Sequence, residues 1–224
     1  MNIQRIKTLL AEPNCIMNIF NLFPTPVGFV GGVLTEEERN KLIEQVENCD
    51  QLLPNQSSKD LTHTGAVDSL QGPEIDNLYE KLSPHIRDFG FQLMGDDSLN
   101  WNIIGLWGNI MKKGGWQYKH NHGNSVISGV VYLQMPENAP ATTFWRPERG
   151  DTFFLAHDGP GRTTDYNSGY IDLKNVKAGD VVLFPSYLTH SVEESGDGDR
   201  ITLAFNVVPD RINILDTYYL KLSS

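Results

Sequence analysis

Two histidines separated by a single residue, His120 and His122, are the part of this sequence best suited to bind a metal ion. If they lie early on a β-strand, alternate side chains share one face and the two imidazoles converge. A third histidine, His190, follows the apolar stretch Val181–Pro185. Imidazole suits iron, zinc, copper and nickel. An H-x-H pair also occurs by chance at protein surfaces, so the residues around it must show whether this pair binds a metal.

Arg200 is a candidate partner of this site because it opens the stretch Arg200–Val208, in which every second residue is apolar. A guanidinium that faces the interior needs an anionic partner, since an unpaired buried charge is costly. A small acid is one such partner, because arginine binds carboxylates through two parallel hydrogen bonds. The alternative is an ion pair at the rim with Glu193, Glu194 or Asp199.

Two helices are predicted before the histidines. Thr35 and Glu38 form a capping box that begins a helix ending near Asn48. A second helix is predicted from about Pro73 to about Met94, with Pro84 as a point of kinking. Its apolar face comprises Ile75, Leu78, Tyr79, Leu82, Ile86, Phe89 and Leu93. Residues 50–72 are polar and predict a loop, and the proline-containing stretch 16–33 predicts edge strands.

From Asn100 onward, short alternating apolar stretches separated by turn residues predict strands. These stretches are Trp101–Met111, Ser125–Met135, Thr142–Trp145, Asp180–Pro185, Leu188–Val192 and Arg200–Val208. The predicted fold is mainly β: a double-stranded β-helix, or jelly-roll and cupin-like barrel, with the N-terminal helices packed on one sheet. We expect one domain over residues 1–224, with helical support in 35–95 and the barrel core in 100–208.

Composition excludes several classes of protein. The chain has 224 residues, a net charge of -10 and two cysteines. The negative charge disfavours nucleic-acid binding through a general basic surface, because an acidic chain repels the phosphate backbone. Two scattered thiols do not form a disulfide framework. The chain contains no apolar run of about 20 residues and no signal-peptide pattern, so we expect a cytoplasmic protein without a membrane span.

The text around these residues resembles the 2-oxoglutarate- and Fe(II)-dependent oxygenases, in the branch common in marine bacteria and phages. The matching segments are 23–27, 107–109, 120–122 with 128–133, 184–190 and 200–206. Together these segments extend the resemblance over roughly residues 20–208. The family carries H-x-D/E, a distal His, and Arg-x-Ser/Thr on the next strand. The resemblance implies an oxidoreductase that uses Fe(II), 2-oxoglutarate and O2 and hydroxylates a substrate while forming succinate.

The resemblance also implies roles for individual residues. His120, His122 and His190 would bind the metal, Arg200 would bind the distal carboxylate of 2-oxoglutarate, and Thr202 would hydrogen-bond to it. Polar residues on neighbouring strands that could line the same pocket are Asn109, Ser128 and Tyr132. Trp107 and Trp116 are either core aromatics or substrate walls.

His122 departs from the family pattern because a carboxylate usually stands there. Either three imidazoles form the site, which we favour, or a remote carboxylate completes it, or one position is left to water or an anion. The remote candidates are Glu148, Asp151 and Asp158. His63 and His85 are expected to be structural, and His157 could lie near the barrel mouth.

Two other functions remain open: a three-His cupin-type metalloprotein that does not use 2-oxoglutarate, and a non-catalytic phage or host binding module. The sequence does not identify the primary substrate, and it leaves a homodimer open.

Overall fold

The computed structural model describes residues 21, 23–65, 69–147, 164, 166, 168–214 and 218–221. Helix α1 covers Glu36–Glu47 and helix α2 covers Pro73–Met94. The capping box is present, with Glu38 N donating to Thr35 Oγ1 and Thr35 N donating to the Glu38 carboxylate. Both predicted helices are confirmed, and Pro84 lies inside α2. Within the described residues, neither helix is long and apolar enough to cross a membrane.

Twelve strands make up the rest of the described secondary structure. They are β1 Gly28–Val30, β2 Leu52–Pro54, β3 Ser58–Thr64, β4 Trp101–His120, β5 Ile127–Gln134, β6 Thr142–Trp145, β7 Tyr170–Asp172, β8 Val181–Pro185, β9 His190–Val192, β10 Arg200–Pro209, β11 Arg211–Ile214 and β12 Tyr218–Lys221.

Ten of these strands form one curled antiparallel sheet with the order β1-β8-β5-β10-β4-β9-β6-β7. Strand β3 also pairs with β4, and β2 pairs with β3, while β11 and β12 form a separate hairpin. The mainly β, jelly-roll prediction is confirmed. Its division into a single domain with these boundaries stays a prediction.

The sequence analysis was wrong about residues 50–72, which contain the hairpin of β2 and β3 rather than an irregular loop. Strands β7, β11 and β12 were not predicted either. The reason is visible in β3, whose side chains are mostly polar and only partly buried, with Leu61 and Thr64 as its buried residues. Its pairing with β4 is a long-range backbone interaction that a local apolar pattern does not reveal.

The main core lies between the two helices and one face of the sheet, as predicted. The helices contribute buried residues at helical spacing, and β4, β5, β8 and β10 contribute alternate positions. Its buried members include Leu42, Val46, Ile75, Leu78, Leu82, Ile86, Leu106, Ile110, Val131, Leu183, Leu203 and Phe205. Because this face of the sheet is filled by the helices, the opposite face is left to form the functional cavity.

Gly108 is the point where α1 approaches β4 most closely. A Cβ at this position would lie 2.6 Å from both Cγ atoms of Val46, which is fully buried on α1. The Gly108 N–H also donates to Thr64 Oγ1 at 3.0 Å. Since Trp107 and Asn109 flank this glycine on the opposite face of the strand, the helix contact fixes the position of two cavity residues.

We expect Gly108→Ala to lower the free energy of unfolding by about 1–3 kcal/mol, because the added methyl group overpacks the contact with Val46. In a double-mutant cycle with Val46→Ala, part of this loss should be recovered, and urea unfolding of the four proteins measures the coupling. Strictly additive losses would show that the two positions do not contact each other.

Candidate active site

The three predicted histidines lie at the end of β4 and the start of β9. His120 is the last residue of β4, and its cross-strand partner is His190, the first residue of β9. His122 lies beyond the strand, and its backbone N–H donates to Ser186 O at 3.0 Å. The expectation that the H-x-H pair lies early on a strand is therefore wrong. The convergence of the imidazoles results from strand pairing and a loop contact rather than from strand alternation.

The imidazoles are close enough to share one ion. The ring centroids of His120 and His190 are 4.2 Å apart, and those of His122 and His190 are 5.1 Å apart. The ligand atoms of the three residues all lie within 4.8 Å of one another, and the two Nε2 atoms of His122 and His190 are separated by 3.3 Å. Two nitrogens at this separation can both reach one ion at a metal–nitrogen distance of about 2.0–2.1 Å.

Backbone carbonyls orient two of the rings. His120 Nδ1 lies 2.8 Å from Tyr118 O, and His190 Nδ1 lies 3.0 Å from Leu188 O. If each Nδ1 carries the proton and donates to its carbonyl, the Nε2 lone pairs face the cavity, as metal-binding imidazoles require. Without a metal, His122 Nε2 then donates to His190 Nε2. The donor set therefore fits a divalent cation.

A bulge in the pairing of β4 with β9 brings His120 to the cavity side. Gln117 pairs with Val192 and His120 pairs with His190, so three steps on β4 correspond to two steps on β9. The extra residue shifts the alternation by one position. Gln117 and His120 both line the cavity as a result, although their spacing would place them on opposite faces of a regular strand. The sequence analysis did not identify Gln117 because nothing local marks the bulge.

Burial keeps these histidines neutral. Desolvation lowers the pKa of His190 to about 3 and that of His122 to about 4, and the nearby His120 adds to both shifts. The pKa of His120 is also lowered by desolvation. Neutral imidazoles are the form that binds metal, so protons compete weakly for the site at neutral pH.

Arg200 lies deeper in the same cavity and is buried, with 3% of its surface exposed. Its Nε donates to Pro140 O at 3.1 Å, and its Cζ lies 5.3 Å from the centre of the Tyr132 ring. Desolvation lowers its pKa, and Tyr132 opposes that shift. Among the described residues, Arg200 forms no ion pair.

The alternative of a rim ion pair for Arg200 is not supported. Asp199 pairs with Lys112 instead, and Glu193 and Glu194 are exposed.

Other predicted cofactor residues surround the guanidinium. Thr202 is buried and is the cross-strand partner of both Asn109 and Tyr132. The Asn109 side chain lines the cavity, and among the described residues its buried Oδ1 has no hydrogen-bond partner. The Tyr132 hydroxyl lies 2.7 Å from Thr142 Oγ1. Thr142 also lines the cavity, and the sequence analysis assigned it to a strand without giving it a role.

Ser128 lies away from this group. It is the cross-strand partner of Asn206, six residues along β10 from Arg200, and its hydroxyl donates to Asn206 Oδ1 or Ser186 Oγ. This position argues against its predicted contact with a ligand held by Arg200.

The two tryptophans differ in position. Trp107 lines the cavity, with its ring centroid 5.7 Å from that of His122. Trp116 packs edge-on against Tyr118. This supports the wall alternative for Trp107, but Trp116 is not among the described residues that line the cavity.

The other histidines and the remote carboxylates do not alter this site. His63 lies on β3 with Nδ1 2.9 Å from Thr64 O, and His85 lies on α2. Glu148, Asp151, Asp158 and His157 lie outside the described residues.

The segment that contains these residues is similar to a known protein family. Residues 105–206, which include the three histidines, Arg200 and Thr202, match the model of a family described as "Putative 2OG-Fe(II) oxygenase". No curated protein sequence matches the chain significantly.

Solved structures share the fold at low sequence identity. A viral collagen prolyl hydroxylase from Paramecium bursaria Chlorella virus-1, solved with 2-oxoglutarate, has a TM-score of 0.54 and 16% identity, covering 81% of this chain and 94% of its own. A Pseudomonas putida prolyl-4-hydroxylase has a TM-score of 0.56 and 17% identity over 81% and 92%. HygX from Streptomyces hygroscopicus, with nickel and 2-oxoglutarate bound, has a TM-score of 0.58 and 16% identity over 82% of each chain.

We expect the metal-free protein to lose stability as the pH falls from about 6.5 towards 4. The unfolded chain binds protons at its histidines near the ordinary pKa of about 6.5, whereas the folded chain holds His122 and His190 neutral to about 4 and 3. The free energy of unfolding should therefore rise with pH across this window.

Urea unfolding at pH 5, 6 and 7 measures this slope, and His190→Gln is the matched variant because it keeps a polar side chain without a titrating group. The slope should be smaller in His190→Gln. Equal slopes in the two proteins would contradict the buried, neutral state of His190. Glu38 does not confuse the result, because its folded pKa is about 2 and its stabilisation is lost only below its ordinary value of 4.5.

Proposed function

We propose that this chain, whose residues 105–206 match the model of the 2OG-Fe(II) oxygenase family, is an Fe(II)- and 2-oxoglutarate-dependent oxygenase that hydroxylates a substrate and forms succinate. The proposal is based on two features of one cavity. Three imidazoles converge at one position, and at another lies a buried arginine that has no ion-pair partner among the described residues. The first arrangement suits a divalent metal, and the second suits the carboxylate of a small acid.

His120, His122 and His190 are the proposed metal ligands. When bound, iron would supply the activation of O2 that is coupled to oxidative decarboxylation of 2-oxoglutarate. The chain contributes rigid placement of the donor atoms. His120 and His190 are oriented by Tyr118 O and Leu188 O, and the loop of His122 is held by its hydrogen bond to Ser186 O. Such outer contacts usually fix the tautomer and orientation of metal-binding imidazoles.

Arg200 is the proposed ligand of the distal carboxylate of 2-oxoglutarate, with Thr202 donating a further hydrogen bond. Asn109 lines this end of the cavity with its unpartnered side chain. Tyr132 is not among the described lining residues and contacts the guanidinium with its ring. A carboxylate here would offset the cost of burying Arg200, since charge-assisted hydrogen bonds are strongest in a dry site. HygX and the viral prolyl hydroxylase, which share the fold, are solved with 2-oxoglutarate bound, and this supports 2-oxoglutarate as the acid.

Apolar side chains line the rest of the cavity and would keep water away from the reacting atoms. They include Leu61, Met111, Phe184 and Val192. The Phe184 ring packs edge-on against His190 with the centroids 4.7 Å apart, and Phe144 packs against Phe184 in turn. Excluding water strengthens the electrostatic interactions of the site and limits side reactions.

A three-His metalloprotein that does not use 2-oxoglutarate is the second candidate, and the imidazole at position 122 is the observation in its favour. Arg200 separates the two functions, because a buried guanidinium has no evident role without an anionic ligand. The non-catalytic binding module differs from both, since it requires neither metal nor 2-oxoglutarate.

We expect Arg200→Ala to weaken 2-oxoglutarate binding by at least about 30-fold, because removing one partner of a buried charge pair costs about 2–5 kcal/mol. Anaerobic titration of the Fe(II) protein, followed by its visible charge-transfer band and by calorimetry, measures this loss. Fe(II) binding itself should be retained.

Arg211→Ala is the matched control, because this arginine is partly exposed and pairs with Asp210 outside the cavity. It should bind 2-oxoglutarate like the wild type. Unchanged 2-oxoglutarate affinity in Arg200→Ala would contradict the proposed role of Arg200. Wild-type protein that binds Fe(II) but not 2-oxoglutarate would favour the second candidate.

A further inference from the structure

With its proposed ligands bound, the cavity would carry a net positive charge, and this charge indicates which chemical class of substrate the cavity favours. Among the described residues that line the cavity, none is acidic, and Arg200 is the one lysine or arginine. The three histidines bind a metal through neutral nitrogens and add no charge. A divalent metal and Arg200 together contribute three positive charges. The dianion 2-oxoglutarate offsets two of them, so one positive charge is left.

His122 is the residue responsible for this excess. A carboxylate at the corresponding position of the usual facial triad would carry the missing negative charge. The imidazole of His122 binds through a neutral nitrogen, and its ring lies 5.1 Å from that of His190 and 5.7 Å from that of Trp107. His122 therefore lies between the other two histidines and the part of the cavity wall formed by Trp107 and its cross-strand partner Ala204.

An uncompensated charge in a low-dielectric site is costly, and an anion that enters the site removes the cost. A single excess charge calls for a monoanion. The indole of Trp107 lies beside His122 and is partly buried, so it is available for a stacking contact, and the partly buried amide of Gln117 lines the same cavity. The chain itself supplies no acidic group to this cavity within its described residues.

We propose that the cavity binds a second anion beside 2-oxoglutarate, on the His122 side of the metal site, and that the substrate therefore carries a carboxylate. This inference rests on the proposed function, because the charge count assumes both the divalent metal and the keto acid. It deepens that function by assigning a chemical class to the substrate. Acetate is the simplest probe of the proposed position, and azide represents small inorganic anions.

The test is an anaerobic titration of the Co(II)-loaded protein at saturating 2-oxoglutarate, with acetate or azide added in separate runs at constant ionic strength. The visible spectrum of Co(II) reports changes at the metal without catalysis. We expect a saturable change with acetate. A parallel titration of the Fe(II) protein should retain the 2-oxoglutarate charge-transfer band, showing that acetate does not displace the keto acid.

His122→Asp and His122→Asn are the matched variants, because the two side chains have nearly the same size and differ by one charge. The Asp variant should bind acetate about tenfold or more weakly than the Asn variant, since the carboxylate supplies the negative charge that the anion otherwise supplies. Metal content and circular dichroism establish that both variants are folded and loaded.

Three results would overturn the inference: no acetate response in the wild type, a response to azide alone, or equal acetate affinity in the Asp and Asn variants. The first would also be expected if a carboxylate from outside the described residues neutralises the site. Failure of the proposed function is distinguishable, because it would appear as a lack of 2-oxoglutarate binding before any acetate is added. In that case acetate titration of the Co(II) protein alone, with the same two variants, still decides whether His122 creates an anion site.

Discussion

The pairing of β4 with its neighbours is the constraint on which the rest of the site depends. This 20-residue strand pairs with β10 on one side and, further along, with β9, so that it connects the two ends of the cavity. Arg200 lies opposite Met111, and His190 lies opposite His120. The distance between the proposed carboxylate and metal positions is therefore set by one strand. The irregular pairing near its end decides that His120 faces inward.

Charge and burial reinforce this arrangement. Desolvation keeps the imidazoles neutral, so placing them in the cavity does not bury a charge. Arg200, in contrast, is a buried cation. A buried cation in a cavity whose other described lining residues are uncharged is unfavourable in isolation. It is explained most simply as part of an anion-binding site, and the neutral donor at position 122 makes the same cavity more attractive to anions than the usual triad would.

Local sequence patterns predicted the parts of the fold that depend on local physics. The Thr35 capping box, the apolar face of α2 and the alternating strands could be identified because each reflects neighbouring residues. The polar hairpin of β2 and β3 could not, since its stability comes from pairing with β4. For the site, residue types and the family-like text were sufficient to select the three histidines and Arg200, which the structure brings into one cavity.

The sequence did not predict the register of the strands around the site. His190 and Arg200 do not lie on neighbouring strands, because β4 lies between β9 and β10. The faces of these residues depend instead on the bulge between Gln117 and His120, which also explains why Gln117 was missed. Ser128 was predicted to line the same pocket as Tyr132 because both are polar residues of β5. It lies four residues before Tyr132, however, and therefore pairs with Asn206, far from the end of β10 that begins with Arg200.

We propose that three neutral imidazoles provide all the protein ligands of one iron. Anomalous diffraction at the iron absorption edge, from crystals grown anaerobically with Fe(II) and 2-oxoglutarate, locates this iron. We expect a single iron peak about 2.0–2.2 Å from one nitrogen each of His120, His122 and His190. An iron that is bound by a carboxylate of the chain in place of His122, or that lies away from these three residues, would contradict it.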